Sequence, residues 1–507
     1  MTSTAALLGQ QVVKNSLSVL LRGLVQAGFV IVVTPFILHR LGAEEFGAWS
    51  LIYVFLAYSM LFDFGISGAF AKFAAGVDPG RAPGQIRGLL YSAMGLLTVL
   101  LLVVTGGAIA CAIQYGDRPV GHHTLWELFP LIAVLFWAAM LSNLFNFALI
   151  GIQRQDLSSF VSIFFIVLSG IGTVVVLEAG LKLKGLIVLN AFSALAMGAT
   201  SWALFSSRVQ RGSLTPVRPS NWMKLLRFGG LLQIYALVTV FYYSLGKFLI
   251  TYYVSLAAVS QYEVALRLVT LVRQGLGSVA SPLMPAAARL HSDGETSAIS
   301  RFCFSTVKHV SLLGLPAFIA LGVFAGPILK FWIGGDCQTS VVVLQGLVPG
   351  FYAGTLSTVV WFFLVGTGRP GLGVVLSVAE TILGVAATIV LTRIYGIAGT
   401  AWGASLAACL SMPVYFWLYR RQVSYPLGRL VWEGVAYPSA LCCLLAVPVY
   451  SLLTAVPSGL PQAVFAVLYV LACYVGFLLL GIVGKDERSL VKSWLGLRWR
   501  TALRRAA

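Results

Sequence analysis

The segment LIGIQRQD, residues 149–156, returns 215 residues later as LVGTGRPG, residues 364–371. Each copy closes one apolar run and opens another, and each is followed by a Gly-containing turn, LKLKG at 181–185 and YGIAG at 395–399. A second pair, FILHRLGAEEFGAWSL at 36–51 and FLITYYVSLAAVSQYEVAL at 248–266, has offsets of 212 to 215. Apolar helices match one another by chance, but two matches in the same order at nearly one offset describe a chain built as a repeat. Internal repeats of this length in an apolar chain are a mark of transporter architecture.

Composition points the same way. Of 507 residues, 59% are hydrophobic and 10% charged, and the mean hydropathy of +0.92 lies far outside the range of a domain with a watery surface. A spanning helix needs about 20 mostly apolar residues. Fourteen such spans are predicted, at 17–39, 46–72, 86–114, 125–151, 157–180, 185–207, 222–251, 258–286, 302–332, 341–366, 371–393, 396–419, 432–455 and 461–484. The first is long enough to span and is read as a retained helix rather than a signal peptide. The repeat offset covers six spans, an even number, so both copies take the same orientation in the membrane. The predicted fold is therefore an all-α polytopic membrane protein of about 14 transmembrane helices. Two pseudo-symmetric six-helix bundles, 14–207 and 222–421, are joined by a basic cytoplasmic linker at 208–221. Helices 13 and 14 (432–484) and a basic cytoplasmic tail (485–507) stand outside the repeat.

A formal net charge of +18 raises the question of a polyanionic partner. The placement of the charges answers it. Twenty-four of the 34 basic residues fall in loops, flanking span ends or tail on the side of the termini, six in loops or span ends on the other side, and four, Arg22, Lys247, Arg267 and Arg273, are read as embedded. That bias places both termini in the cytoplasm and leaves no basic stripe for nucleic acid. The tail mixes its basic residues with Trp494, Leu497 and Trp499, as an interfacial helix on anionic lipid does, or as a solvated basic end. The seven cysteines have no metal-type spacing, Cys442 and Cys443 are adjacent, and they read as small buried hydrophobes. The longest outer loop, QYGDRPVGHHTL at 114–125, offers Asp117, His122 and His123 with no third metal ligand, and too few acids for glycosyl chemistry. No catalytic residue, metal or cofactor is expected.

The chemistry lies in the charges inside the spans. Arg22, Lys247, Arg267 and Arg273 would each cost about 3 kcal/mol or more facing lipid at the bilayer centre, so each needs a partner or a wet cavity. Three charges crowd YEVALRLVTLVRQ, residues 262–274. With Glu263 at zero and about 100° per residue, Arg267 falls at about 40°, Gln274 at about 20° and Arg273 at about −80°, one arc of the helix. Glu263 and Arg267 are four apart and can pair, whereas Arg273 has no acid nearby in sequence. Arg22 has Gln26 one turn on, Lys247 follows Tyr242 and Tyr243, and both lie near span ends from which a long side chain also snorkels. The embedded acids Asp63, Glu263 and Glu380 are candidates for ion coupling, or for contacts between helices. Asn143, Asn146, Asn190 and Gln233 add hydrogen-bonding capacity. A net cationic interior with amides suits an anionic, sugar-bearing substrate, because a guanidinium grips phosphate with two parallel bonds. The candidate substrate-binding set is Arg22, Lys247, Arg267, Arg273 and Gln274.

The segments TPFILHRLGAEEFGAWSL (34–51), LFDFGISGA (61–69), LIGIQRQD and GLKLKGL (180–186) resemble the polysaccharide-transporter branch of the multidrug/oligosaccharidyl-lipid/polysaccharide exporter superfamily. The resemblance covers essentially the whole chain and rests on short motifs. It implies a flippase of the bacterial cytoplasmic (inner) membrane that moves undecaprenyl-diphosphate-linked oligosaccharide repeat units for O-antigen or exopolysaccharide synthesis, with membrane lipid around it. A polysaccharide polymerase and glycosyltransferases would act beside it. Related lipid II flippases also have fourteen helices and carry arginines on helices 1 and 8 that line a central cavity; Arg22, Arg267 and Arg273 lie on those helices here. Rival readings are a lipid II flippase and a multidrug or cation antiporter of the same superfamily, the latter disfavoured by the basic balance of the embedded charges.

Overall fold

A computed structural model describes residues 2–63, 66–74, 82–115, 128–209, 240–242, 244–280, 287, 296–335, 337–422, 428, 431–453 and 460–479. Most of the 208–221 linker, the outer loop with His122 and His123, Gln233, Tyr243 and the 485–507 tail lie outside the described residues. Every described element is a helix. In chain order these are α1 (Thr2–Phe62), α2 (Ile66–Ala74), α3 (Pro83–Tyr115), α4 (Phe129–Gly151), α5 (Gln155–Glu178) and α6 (Lys182–Arg208). Next come α7 (240–242 and 244–253), α8 (Leu256–Ala280), α9 (Thr296–Val323), α10 (Ala325–Trp332), α11 (Gln338–Gly366) and α12 (Pro370–Gln422). The last two are α13, a π-helical turn at Trp432–Ala436 running into Tyr437–Leu453, and α14 (Leu460–Leu479).

Where they are described, the predicted spans fall on these helices, 46–72 and 302–332 each running over two of them and most of 222–251 lying outside the described residues. Among the described residues nine stretches are long and apolar enough to cross a membrane. Two of the nine are double. Leu21–Val54 and Gly371–Leu418 each run through two predicted spans, because α1 is broken only at Gly42 (φ 79°) and α12 only at Gly396 (φ 60°). Both φ values lie where a side chain clashes with its own backbone, so glycine lets the chain turn a corner without a loop. α8 is not among the nine, since Glu263, Arg267 and Arg273 interrupt its apolar run. The outward-facing residues are themselves apolar: Val32, Phe192, Leu444 and Leu479 are among many large hydrophobic side chains left uncovered. That is the surface of a protein whose solvent is lipid.

The repeat seen in the sequence is present in the backbone. At the end of α4 the amide of Arg154 donates to the carbonyl of Leu149 (2.9 Å) and that of Gln153 to Ile150 (2.9 Å). At the end of α11 the amide of Arg369 donates to Leu364 (2.8 Å) and that of Gly368 to Val365 (3.1 Å). This is one helix-terminating motif made twice, with a left-handed residue at the same place, Gln153 (φ 59°) and Gly368 (φ 75°). The next turns correspond as well: Lys182 (φ 45°) and Gly396 (φ 60°) are left-handed.

The chain divides into two compact units, one of Met1–Val264 with Ser377–Val385 and Thr392–Thr400, the other of Ala265–Leu376, Ala386–Leu391 and Ala401–Ala507. The first unit has a core of Ile66, Phe70, Leu90, Leu97, Leu144 and Phe205, from α2, α3, α4 and α6. Arg87 at the start of α3 donates to the last carbonyls of α6, Val209 (2.6 Å) and Ser206 (3.2 Å), so a cation caps the negative end of that helix. At the opposite ends, Arg40 pairs with Glu178 and Lys182 with Glu45, the latter at 3.6 Å. In the second unit α13 and α14 pack on α9 and α10 around Leu312, Phe324, Cys442, Tyr469 and Cys473. Polar ties fix them: the Tyr469 hydroxyl donates to the carbonyl of Cys442 (2.9 Å), Tyr474 to Leu313 (2.6 Å), and Ser311 to Gly434 in the π-turn. α11 and α12 touch so closely that a Cβ on Gly350 would lie 2.4 Å from Ser405 Cα. Cys442, Cys473 and Cys303 are buried as expected, but Cys443 is exposed.

Candidate functional site

Lys247 on α7 and Glu263 on α8 form an ion pair, Nζ to Oε2 at 2.7 Å, with side chains 9% and 8% exposed. The turn at 254–255 folds α8 back on α7, which brings residues sixteen apart in sequence side by side. The surroundings are tight. A Cβ at Gly246 would meet Thr400 Cγ2 at 2.9 Å and the Tyr262 hydroxyl at 3.1 Å, and the hydroxyls of Thr392 and Thr400 are hydrogen-bonded at 2.8 Å. Burying two opposite charges is tolerated because each neutralises the other; either one alone in that setting is strongly unfavourable. Sequence spacing offered Arg267 as the partner of Glu263 and snorkelling as the alternative for Lys247. The structure buries Lys247 against Glu263, a contact between helices that no local periodicity displays.

The other α8 residues lie on less covered ground. Arg267 and Arg273 are half-buried and Gln274 is exposed. The Arg273 guanidinium stands 5.8 Å from the centre of the Phe351 ring of α11, a cation–π contact that holds the side chain. Arg22 on α1 is half-buried, with Gln26 exposed one turn on. Glu380, half-buried, lies on α12.

Asp63 has a different setting. Its carboxylate accepts from the Ser67 backbone N–H (3.1 Å to Oδ2) and from the Ser67 hydroxyl (2.9 Å), just ahead of α2. It thus caps the start of α2. The amides Asn143, Asn146 and Asn190 lie in the first unit; Asn146 bonds to Ser158 and Ser162 of α5, and Asn190 to the carbonyl of Leu186 within α6. Phe351, Ser67, Tyr262, Thr392 and Thr400 were missed by the sequence reading, since each is an ordinary apolar or hydroxyl residue until its neighbours are known.

Residues 37–342 match the family described as polysaccharide biosynthesis protein. The chain belongs to that family. Within the larger grouping it falls in the polysaccharide-transporter branch of the multidrug/oligosaccharidyl-lipid/polysaccharide exporter superfamily, and it is a multi-pass membrane protein of the transporter kind. A curated relative from Haloferax volcanii, named as the probable low-salt glycan biosynthesis flippase Agl15, is 21% identical over 396 residues, covering 78% of this chain and 80% of that protein. Among solved structures, an inward closed conformation of the lipid II flippase MurJ matches with a TM-score of 0.66 at 13% identity, over 93% of this chain and 98% of that one. An inward-facing multidrug resistance MATE transporter matches with the same TM-score of 0.66 at 14% identity, over 80% and 94%. A superfamily transporter from Pyrococcus furiosus, whose binding pocket is described as having reverse polarity, reaches 0.61 at 14% identity, over 83% and 96%. At such identities the structural matches establish the fold, and function has to be argued from the site.

Proposed function

We propose that the protein is a flippase that moves an undecaprenyl-diphosphate-linked oligosaccharide repeat unit from the cytoplasmic to the outer leaflet of the bacterial cytoplasmic membrane, for exopolysaccharide or O-antigen synthesis. The two bundles, 14–207 and 222–421, work by alternating access around a basic cavity, with both termini in the cytoplasm. Family membership and the glycan flippase named among the relatives support a lipid-linked glycan as cargo. The observation that carries the reading is the placing of two arginines on one spanning helix, Arg267 and Arg273 of α8, with the Arg273 guanidinium held against the Phe351 ring. A diphosphate is the matching anion. Arg267 and Arg273, with Gln274 and with Arg22 of α1, bind it; the glycan lies in the cavity and the polyprenyl chain stays in lipid beside helices 13 and 14. The basic tail 485–507 rests on the anionic inner surface. Lys247 sets the charge balance of the site through Glu263, and Asp63 and Glu380 are the remaining acids through which an ion gradient would act. Glycosyltransferases supply the cargo on the inner side and a polymerase consumes it on the outer side.

Replacing Arg273 with Ala should abolish surface polysaccharide while the protein remains in the membrane at normal level. Arg273→Lys, a point charge without the planar fork, should retain part of the activity. Unchanged polysaccharide in the alanine variant removes Arg273 from the site.

A further inference from the structure

The first unit holds a second feature, on spanning helices α3, α4 and α6. A cleft of about 400 Å³ lies among Tyr91, Leu141, Phe145, Ala194, Leu195 and Trp202. Its walls are almost wholly carbon, and it is open on one side, where Tyr91, Leu195 and Ala199 are exposed. One end is closed by aromatic rings: Trp202 meets Tyr91 edge-on at 5.8 Å, tilts against Phe145 at 5.4 Å and stacks on Phe205 at 6.1 Å. Just beyond that end stand two cations. Arg87 precedes Tyr91 by one helical turn, and Arg208, exposed, follows Trp202 by six residues, about 9 Å along α6.

We infer that this cleft is a lipid site that takes one acyl chain of an anionic bilayer phospholipid, with its phosphate at Arg208. Three properties select that occupant. An apolar cleft opening sideways from spanning helices faces hydrocarbon, not water. Its volume gives room for roughly a dozen methylenes if each takes about the 30 Å³ of a liquid water, which suits one acyl chain and not a whole polyprenyl tail. Its aromatic end, with tyrosine and tryptophan followed by arginine, is the order in which a helix passes from hydrocarbon through the interface to the headgroups, and its charge complements an anionic headgroup. The residues concerned are separate from the charged group around α8, so the assignment stands or falls independently of the flippase reading.

The test uses the full chain in phosphatidylcholine vesicles doped with phosphatidylglycerol that carries a photoreactive diazirine on one acyl chain, with the adducts mapped by peptide mass spectrometry. Adducts should concentrate on residues 138–145 and 194–202. Ala199→Trp, which fills an exposed edge of the cleft, should remove them, and Arg208→Gln should lower them by roughly fivefold, the worth of one basic residue near an anionic surface, whereas Arg208→Lys should not. Thermal melting checks that each variant is folded, and Arg208, being exposed, keeps the test decisive if the tryptophan variant is not. Adducts spread evenly over the exposed apolar surface, or equal labelling by the phosphatidylcholine probe, would overturn the proposal. So would displacement of the probe by unlabelled polyprenyl phosphate, which would assign the cleft to the carrier lipid instead.

Discussion

Lys247 and Glu263 show how a single contact redistributes the meaning of several residues. Their carboxylate and ammonium are 2.7 Å apart with almost no exposure, so each is the reason the other is tolerated. Lys247→Ala or Glu263→Ala removes one half of a buried ion pair, and each should lower stability by about 3–5 kcal/mol, read as a fall in melting temperature of the purified protein. The double replacement Lys247→Met with Glu263→Leu should recover most of that loss, since an apolar pair of similar volume needs no desolvation. A double variant as unstable as the singles would mean that other groups depend on the pair. Asp63 poses the smaller version of the same question. Its carboxylate caps α2 through Ser67, and Asp63→Ala should cost about 1 kcal/mol whatever its effect on transport. Transport lost from a protein that melts normally would show a role beyond the cap.

At the scale of the helix, the ends matter most. The turn after α4 and the turn after α11 make the same pair of backbone bonds around a left-handed residue, which is Gln153 in one copy and Gly368 in the other. An L side chain in that conformation is strained by roughly 1–2 kcal/mol. Gly368→Gln should therefore reduce thermal stability by about 1 kcal/mol, while Gln153→Gly should leave it at or above the starting value. A Gly368→Gln variant as stable as the parent, or a Gln153→Gly variant less stable than it, would mean that the two turns are not equivalent. Between helices the limits are steric. Ser405 of α12 donates to the carbonyl of Gly346 and accepts from the amide of Gly350 at 3.2 Å, a close approach that only a missing side chain permits. Gly350→Leu should abolish folding of the second unit, with loss of protein from the membrane, because the intruding atoms meet backbone rather than a movable side chain.

For the whole molecule, orientation is open to a direct test. The bias of lysine and arginine predicts the α11–α12 turn in the cytoplasm and the α5–α6 turn outside. In a chain stripped of its own cysteines, Lys184→Cys should react with an impermeant thiol reagent added to intact cells, and Arg369→Cys should react only after the membrane is opened. The reverse pattern overturns the assigned sidedness. Helical class, the spans and the repeat were legible without coordinates, because lipid imposes a length, a composition and a charge asymmetry that any single stretch of chain must satisfy by itself. The same holds for the turns at LIGIQRQD and LVGTGRPG, whose matching bonds are local. The site was legible only as a set of residues too costly to leave in lipid, Arg22, Lys247, Arg267, Arg273, Asp63, Glu263 and Glu380. Which of them meet was decided by tertiary structure: Glu263 faces Lys247 across a turn, Arg273 lies over Phe351 from another helix, and Asp63 caps the start of α2 through Ser67. Desolvation sets the need for a partner and acts on one residue at a time; helix packing chooses the partner, and that choice depends on residues far away in the chain.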